Sequence, residues 1–266
     1  MFDKKKIQCN HIKSFNTNHK RVVSFFDTIS EILIEKVFDD DQEYRSKNIL
    51  EIASRNDILR KKIYYKGFQS NYFQTSLSEK ILVKNNKRVV SNLNDIVFKE
   101  ELFDFCFSLL SLNSSENIPL VFKNIYTILK SDGVFASVFP ADECFKEFSS
   151  YFIKFFRPDI NYNFNPLFDM QTLGNLCSAA GFKNVIVDKE NFQFNITKPE
   201  EVWHFIRYIG ESNYLSKRKN FTIKKSLFKE FYSKYNKELK EGNLKKNTFS
   251  IYYLIGKKIV SFYNQH

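Results

Sequence analysis

Glycine and proline are scarce in this 266-residue chain, with 7 and 5 of each, while Lys, Asn, Ile and Phe abound. A genome poor in G and C produces that bias without functional cause, so the 30 Phe are not read as an aromatic binding surface. Cysteine-rich metal motifs are absent as well. Cys9, Cys106, Cys144 and Cys177 make no Cys-x-x-Cys pair, and His11, His19, His204 and His266 have no ligand spacing, which excludes a zinc site and implies reduced thiols. No apolar run is long enough for a membrane-spanning helix. Met1-Phe2-Asp3-Lys4-Lys5-Lys6 leads into polar residues rather than the apolar centre of a signal peptide, so a soluble, cytoplasmic protein is expected.

What is present is a hydrophobic fraction of 43%, enough to build the core of one large α/β domain. The net charge of +11 is unevenly placed: Ser216 to Lys246 holds eleven Lys/Arg against three Asp/Glu. Such an excess suits an acidic protein or peripheral contact with an anionic membrane. Nucleic acid ranks last, because no recognition motif accompanies the charge. Leu227, Phe228, Phe231, Tyr232 and Tyr235 recur within this stretch at helical spacing, which predicts an amphipathic helix.

Periodicity organises the rest. Phe25, Phe26, Ile29, Ile32, Leu33 and Val37 predict a helix over Val22–Phe38, and Asn48–Ile52 reads as a short buried strand ending in an acid. A helix through Tyr65, a strand over Ser70–Thr75, a serine-capped helix over Ser76–Lys84 and a strand at Arg88–Val90 follow. Phe103–Leu110 is a fourth strand, Glu116–Leu129 a helix, Lys130-Ser131-Asp132-Gly133 a turn with Gly in the helix-ending role, and Val134–Phe139 a fifth strand. Tyr151–Asp169, with Pro158 and Pro166, reads as an insertion or lid. Beyond it come a helix over Met170–Ala180, a strand over Asn184–Asp188, a helix over 198–210 with proline in its first turn, and a β run over Thr248–Ile259. Strands alternating with helices specify an α/β sandwich around a mostly parallel, seven-stranded sheet, covered on both faces. The expected organisation is a single domain over 1–266, with an N-terminal helical extension over 1–45, the insertion over 151–169 and a basic helical lobe over 198–246.

Several segments carry a resemblance. The strand that ends in an acid, Glu100-Glu101-Leu102-Phe103-Asp104, and Leu129-Lys130-Ser131-Asp132-Gly133-Val134-Phe135 together look like a class I methyltransferase, which uses S-adenosylmethionine. Ala180-Gly181-Phe182, Gly210-Glu211-Ser212-Asn213, Ile251-Tyr252-Tyr253-Leu254-Ile255-Gly256 and the opening Phe2-Asp3-Lys4 resemble one branch of it. That branch holds malonyl-carrier-protein O-methyltransferases and a mitochondrial assembly factor of respiratory complex I, an arginine hydroxylase with a methyltransferase fold.

The resemblance implies a cofactor site at the carboxyl ends of the central strands; this sequence keeps the acid of its first loop, Glu51, and departs at the other parts. The loop acid-x-Gly-x-Gly-x-Gly, where a Cβ would crowd the cofactor, reads Glu51-Ile52-Ala53-Ser54-Arg55-Asn56-Asp57, so Ala53, Arg55 and Asp57 replace the glycines. Ser76, or Thr75, stands for the ribose-binding acid, Asn92 for the acid beside adenine, and Asn113-Ser114 for the pair after the fourth strand. A hydroxyl loses the charge-assisted bonds that a carboxylate makes to the ribose. Gly133, Gly181, Gly210 and Gly256 remain at fold positions. Two functions are expected to compete. One is a methyltransferase-like protein with a degraded cofactor site that modifies or holds a protein such as a complex I subunit. The other is an active methyltransferase acting on a small carboxylate or carrier-bound acyl group. No catalytic residue is identified; Trp203 and His204 read as packing residues of the 198–210 helix.

Overall fold

The computed structural model describes residues 2–38, 47–67, 71–81, 87–95, 97–156, 164–194, 198–217, 224–242 and 247–259. Its frame is one seven-stranded sheet. The strands are β1 (Asn48–Glu51), β2 (Asn71–Ser76), β3 (Lys87–Val90), β4 (Phe103–Leu109), β5 (Leu129–Pro140), β6 (Lys183–Gln193) and β7 (Thr248–Lys257). Their spatial order is β3-β2-β1-β4-β5-β7-β6. The first five are parallel, and β7 enters antiparallel between β5 and β6. The order reverses between β1 and β4, which places the switch point of the sheet beyond Glu51 and Leu109.

Successive strand residues face opposite sides, and both sides are buried, so the strands are continuously apolar. Ile49, Phe105, Phe107, Ala136 and Tyr253 belong to one core; Leu50, Cys106, Phe135 and Tyr252 belong to the other. The first core is covered by α2 (Lys20–Val37), α3 (Ile58–Tyr65), α5 (Lys146–Phe156), α7 (Pro199–Tyr208) and α8 (Lys225–Lys240). The second lies under α4 (Ile118–Ile128) and α6 (Met170–Ala179). In α2, Phe25 meets Phe192, Phe205 and Phe249 edge-on at 5.2–5.4 Å between centroids, so this helix is built into the sandwich. Edge-on pairs of this kind add about 0.5–1.5 kcal/mol each beyond area burial.

Four local expectations are corrected. In place of a helix over Ser76–Lys84 there is a 3-10 turn at Glu79–Ile81, and residues 82–84 lie outside the described part. Lys130–Gly133 is no helix-ending turn: β5 starts at Leu129, and the left-handed residue is Asp132, at φ 62°. Gly133 is required for space, since a Cβ there would meet the Lys130 carbonyl oxygen at 2.8 Å. Tyr151–Phe156 belongs to α5, whose buried Phe148 and Phe152 lie one turn apart; residues 157–163 are outside the described part. β6 reaches Gln193, because β7 pairs with it far past Asp188. A further helix, α1 (Lys4–Phe15), capped by Asp3, crosses the carboxyl end of the sheet without having been anticipated.

Candidate functional site

The loop after β1 keeps its sharp turn without glycine. Ala53 takes the left-handed conformation at φ 51°, and its N–H donates to Thr75 Oγ1 at 2.9 Å. Alanine at positive φ costs on the order of 1 kcal/mol relative to glycine. The Ser54 N–H donates to the Thr75 carbonyl and the Ile52 N–H to the Phe107 carbonyl, so the loop is fastened to β2 and β4.

Arg55 points inward and is 1% exposed. Its Nε donates to Ser111 Oγ at 3.1 Å, Nη1 donates to the Ile209 carbonyl, and Nη2 to Glu211 Oε1 at 2.7 Å. Glu211 is in turn bonded by Asn113 Nδ2 at 2.9 Å, while the Tyr214 hydroxyl donates to the Asn113 carbonyl at 3.1 Å. Burial pushes the Glu211 carboxyl upward, opposed by the Arg55 charge and its hydrogen bonds. Three sequence-expected features thus meet in one buried network: the loop residue Arg55, the post-β4 residue Asn113, and the Gly210-Glu211 segment.

Helix α1 closes this network with a polar face. Asn10, His11 and Ser14 are buried, and Asn10 Nδ2 donates to the Ser212 carbonyl at 2.6 Å. Both His11 ring nitrogens, Asn10 Oδ1, Ser14 Oγ and Asn113 Oδ1 are buried with no hydrogen-bond partner among the described residues. Burial, reinforced by the Arg55 charge, holds the His11 imidazole well below its ordinary pKa, so it is neutral. Gly210 sits where α1 and Arg55 converge, at φ 83°, and a Cβ there would lie 2.5 Å from Arg55 Nη1 and 3.1 Å from the Asn10 carbonyl oxygen. Gly210→Ala is expected to cost about 1–3 kcal/mol, combining left-handed strain with overpacking, read as a lower urea midpoint at unchanged slope.

The other expected positions do not join this network. Glu51 is buried and accepts from Tyr72 Oη and Gln74 Nε2, both at 2.9 Å; burial raises its pKa to about 7. Asp57 turns to Arg60 one turn along α3 rather than into the site. Ser76 is fully buried, and its hydroxyl accepts the Ser78 N–H at 3.2 Å. Asn92 lines a recess of about 220 Å³ with Leu77, Ser91, Leu93, Ser114 and Glu116. Among the described residues no cluster of His, Cys, Asp and Glu could hold a metal ion, and no helix is long and apolar enough to cross a membrane.

Residues 50–137, which run from within β1 to within β5 and include Ala53, Arg55, Asp57, Ser76, Asn92, Ser111 and Asn113, match the family model described as a methyltransferase domain. This stretch resembles a methyltransferase domain, and the fold is that of the class I methyltransferases. Over 95% of its length the chain is 25% identical to arginine-hydroxylase NDUFAF5, mitochondrial, of Dictyostelium discoideum. The match takes in 64% of that relative, so this chain spans under two thirds of its length. Among solved structures, phosphoethanolamine N-methyltransferase 2 of Haemonchus contortus in complex with S-adenosyl-L-methionine superposes with a TM-score of 0.51 at 14% identity, covering 88% of this chain and 53% of that one. The [4+2]-cyclase SpnF superposes with a TM-score of 0.53 at 11% identity, over 88% and 81% of the two chains. These likenesses establish the fold.

Sequence reasoning located the loop of the methyltransferase domain but not the partners of its new side chains. His11, Ser111 and Tyr214 gave no signal. A polar stripe at 7, 10, 11 and 14 with one apolar member resembles an exposed surface, and Glu211 lies 156 residues from Arg55.

Proposed function

We propose that this chain is a methyltransferase-fold protein that does not hold S-adenosylmethionine in the family's manner, and that it acts on or holds a protein partner, such as a subunit of respiratory complex I. The supporting observation is the Arg55 guanidinium, buried at the carboxyl ends of β1 and β4 and bound to Ser111, Ile209 and Glu211. A cofactor lying against this loop would need the backbone exposed where Arg55 now packs. The residues present do not fit that cofactor. Ser76 stands where the resemblance expects the ribose-binding acid, and its hydroxyl accepts the Ser78 N–H of its own loop. The recess left at Asn92, about 220 Å³, is below the roughly 300–1,000 Å³ of ordinary ligand pockets. The partner reading draws on the similarity to arginine-hydroxylase NDUFAF5, mitochondrial.

The competing reading, a working methyltransferase on a small carboxylate, is favoured by the retained turn at Ala53. One titration separates them. Calorimetry and thermal shift with S-adenosylmethionine and its demethylated product should give no saturable signal up to about 1 mM. A dissociation constant in the micromolar range would overturn the proposal.

A further inference from the structure

Helix α1 crosses the carboxyl end of the sheet with a hollow on each flank. Lys6 and Lys13 line the larger, a cavity of about 720 Å³ that reaches Phe145, Trp203 and Arg207. Phe2, Ile7 and Gln8 line the smaller, the recess of about 220 Å³ at Asn92. The helix is the wall that the two share.

Little apolar burial holds this wall in place. Ile7 is the one buried apolar residue of α1, and it belongs to neither core; Ile12 and Phe15 are outside both as well. In α2, by contrast, Val22, Phe25, Phe26, Ile29, Leu33 and Ile34 all lie in the first core. What fastens α1 is polar. The Asp3 N–H donates to the Tyr214 carbonyl at 2.7 Å, Gln8 Nε2 to the Leu77 carbonyl at 3.0 Å and Asn10 Nδ2 to the Ser212 carbonyl at 2.6 Å. Water can replace each of these bonds when the helix lifts. Asn10 Oδ1, Ser14 Oγ and both His11 ring nitrogens, unpartnered among the described residues while α1 is seated, then gain bonds that they lack. Residues 16–19, which join α1 to α2, belong to no helix or strand, so α1 can swing while α2 stays.

His11 supplies a trigger. The titratable and charged groups packed against α1 are Arg55, Glu211 and Tyr214 at the site, Glu200, Glu201, His204, Arg207 and Tyr208 on α7, and Glu79 and Lys80 on the 3-10 turn. On α1 itself are Lys4, Lys5, Lys6, Cys9 and Lys13, with Asp3 as its cap. None of these carboxylates accepts a hydrogen bond from His11. Glu211 is taken by Arg55 and Asn113, Glu201 by Arg21, and Asp3 by the Lys6 N–H. What His11 does meet is the positive charge of Arg55.

We propose that α1 is a proton-released strap, seated at neutral pH and lifted when His11 takes up a proton, and that lifting joins the two hollows into one cleft over the Arg55–Glu211 network. In the seat, burial and the Arg55 charge keep the imidazole neutral. On a lifted helix it recovers the ordinary histidine value, about 6.5. The lifted state therefore binds the proton more tightly. Seating is undisturbed above that value and weakens as pH falls below it, by about tenfold between pH 7.5 and 5.5. Glu51 and Glu211, whose pKa values burial raises, act in the opposite sense.

Hydrogen–deuterium exchange of the full chain, corrected for the intrinsic pH dependence of exchange, reads the lift, because a free helix of 12 residues is marginal in water. Protection over Lys4–Phe15 should fall about tenfold from pH 7.5 to 5.5, with no fall over Lys20–Val37. His11→Leu cannot take up a proton and should hold the protection of α1 level across that range. Unchanged protection of α1 in the parent chain, an equal fall over α2, or the same fall in His11→Leu would each overturn the proposal. If His11→Leu does not fold, His11→Gln, also uncharged, takes its place, and the contrast between the two helices of the parent chain still decides. The exchange readout needs no ligand, so its failure is distinct from that of the cofactor titration.

Discussion

Arg55→Ala should lower the stability of this chain by about 3–5 kcal/mol, the usual cost of leaving one member of a buried ion pair alone. The side chains of Arg55 and Glu211 are 1% and 8% exposed, so solvent cannot take over the missing bonds. The truncation strips Glu211 Oε1, the Ile209 carbonyl and Ser111 Oγ of their donor in one step. Against a total folding free energy of roughly 5–15 kcal/mol, that loss leaves a visibly unfolded fraction at growth temperature. Arg55→Lys should recover little, because an ammonium is a point donor and cannot span three acceptors set around a planar fork. Arg55→Met combined with Glu211→Gln should be clearly more stable than Arg55→Ala alone, since no charge is then left unpaired. Denaturant melts of the four proteins provide the check. An unchanged midpoint for Arg55→Ala would show that the guanidinium does not hold the loop.

Stability should also fall as pH rises from about 4.5 to about 7, with Glu51 as a source. Its pKa is about 7 in the fold, raised by burial and, to a smaller extent, by the Asp57 charge, while bonds from Gln74, Tyr72 and Ser54 pull it down. The folded state therefore binds the proton more tightly than the unfolded chain. The contribution is fully present below the unfolded pKa, declines through the window between the two values, and is gone above the folded pKa. Over that range the difference is about 3 kcal/mol. Glu51→Gln keeps the shape and cannot ionise, so the parent-minus-variant difference should carry this slope. Asp104, whose Lys130 and Asn48 bonds outweigh its burial and lower its pKa, is lost with acid instead and is common to both proteins. A flat difference between pH 4.5 and 7 would mean that Glu51 is ionised throughout.

The fold was legible because its signals are local. Phe103–Leu109 and Val134–Phe139 are unbroken apolar runs, and a strand buried on both faces needs nothing else. Helix α2 repeats apolar residues at helical spacing along a side that is fully buried. Helix α1 was not legible, since three of its four buried residues, Asn10, His11 and Ser14, are polar. The last turns of α5 were obscured by the Asn- and Pro-rich stretch that follows them. At the site, the loss of glycine at 53, 55 and 57 was visible in the sequence, and so was the segment Gly210-Glu211. That the two are one feature was not. Ion pairing between residues so far apart depends on where the sheet places both loops, which no periodicity records.

The position of β7 bears on how this chain is made. It is the only partner of β6 among the described residues, and it also seals the open side of β5. A ribosome adding about 5–20 residues per second needs several seconds to pass from the end of β6 to the start of β7. During that interval five parallel strands can assemble, but both β5 and β6 offer bare edges to any neighbouring chain. The nascent protein is thus most open to aggregation, and most in need of a chaperone, just before its last strand emerges.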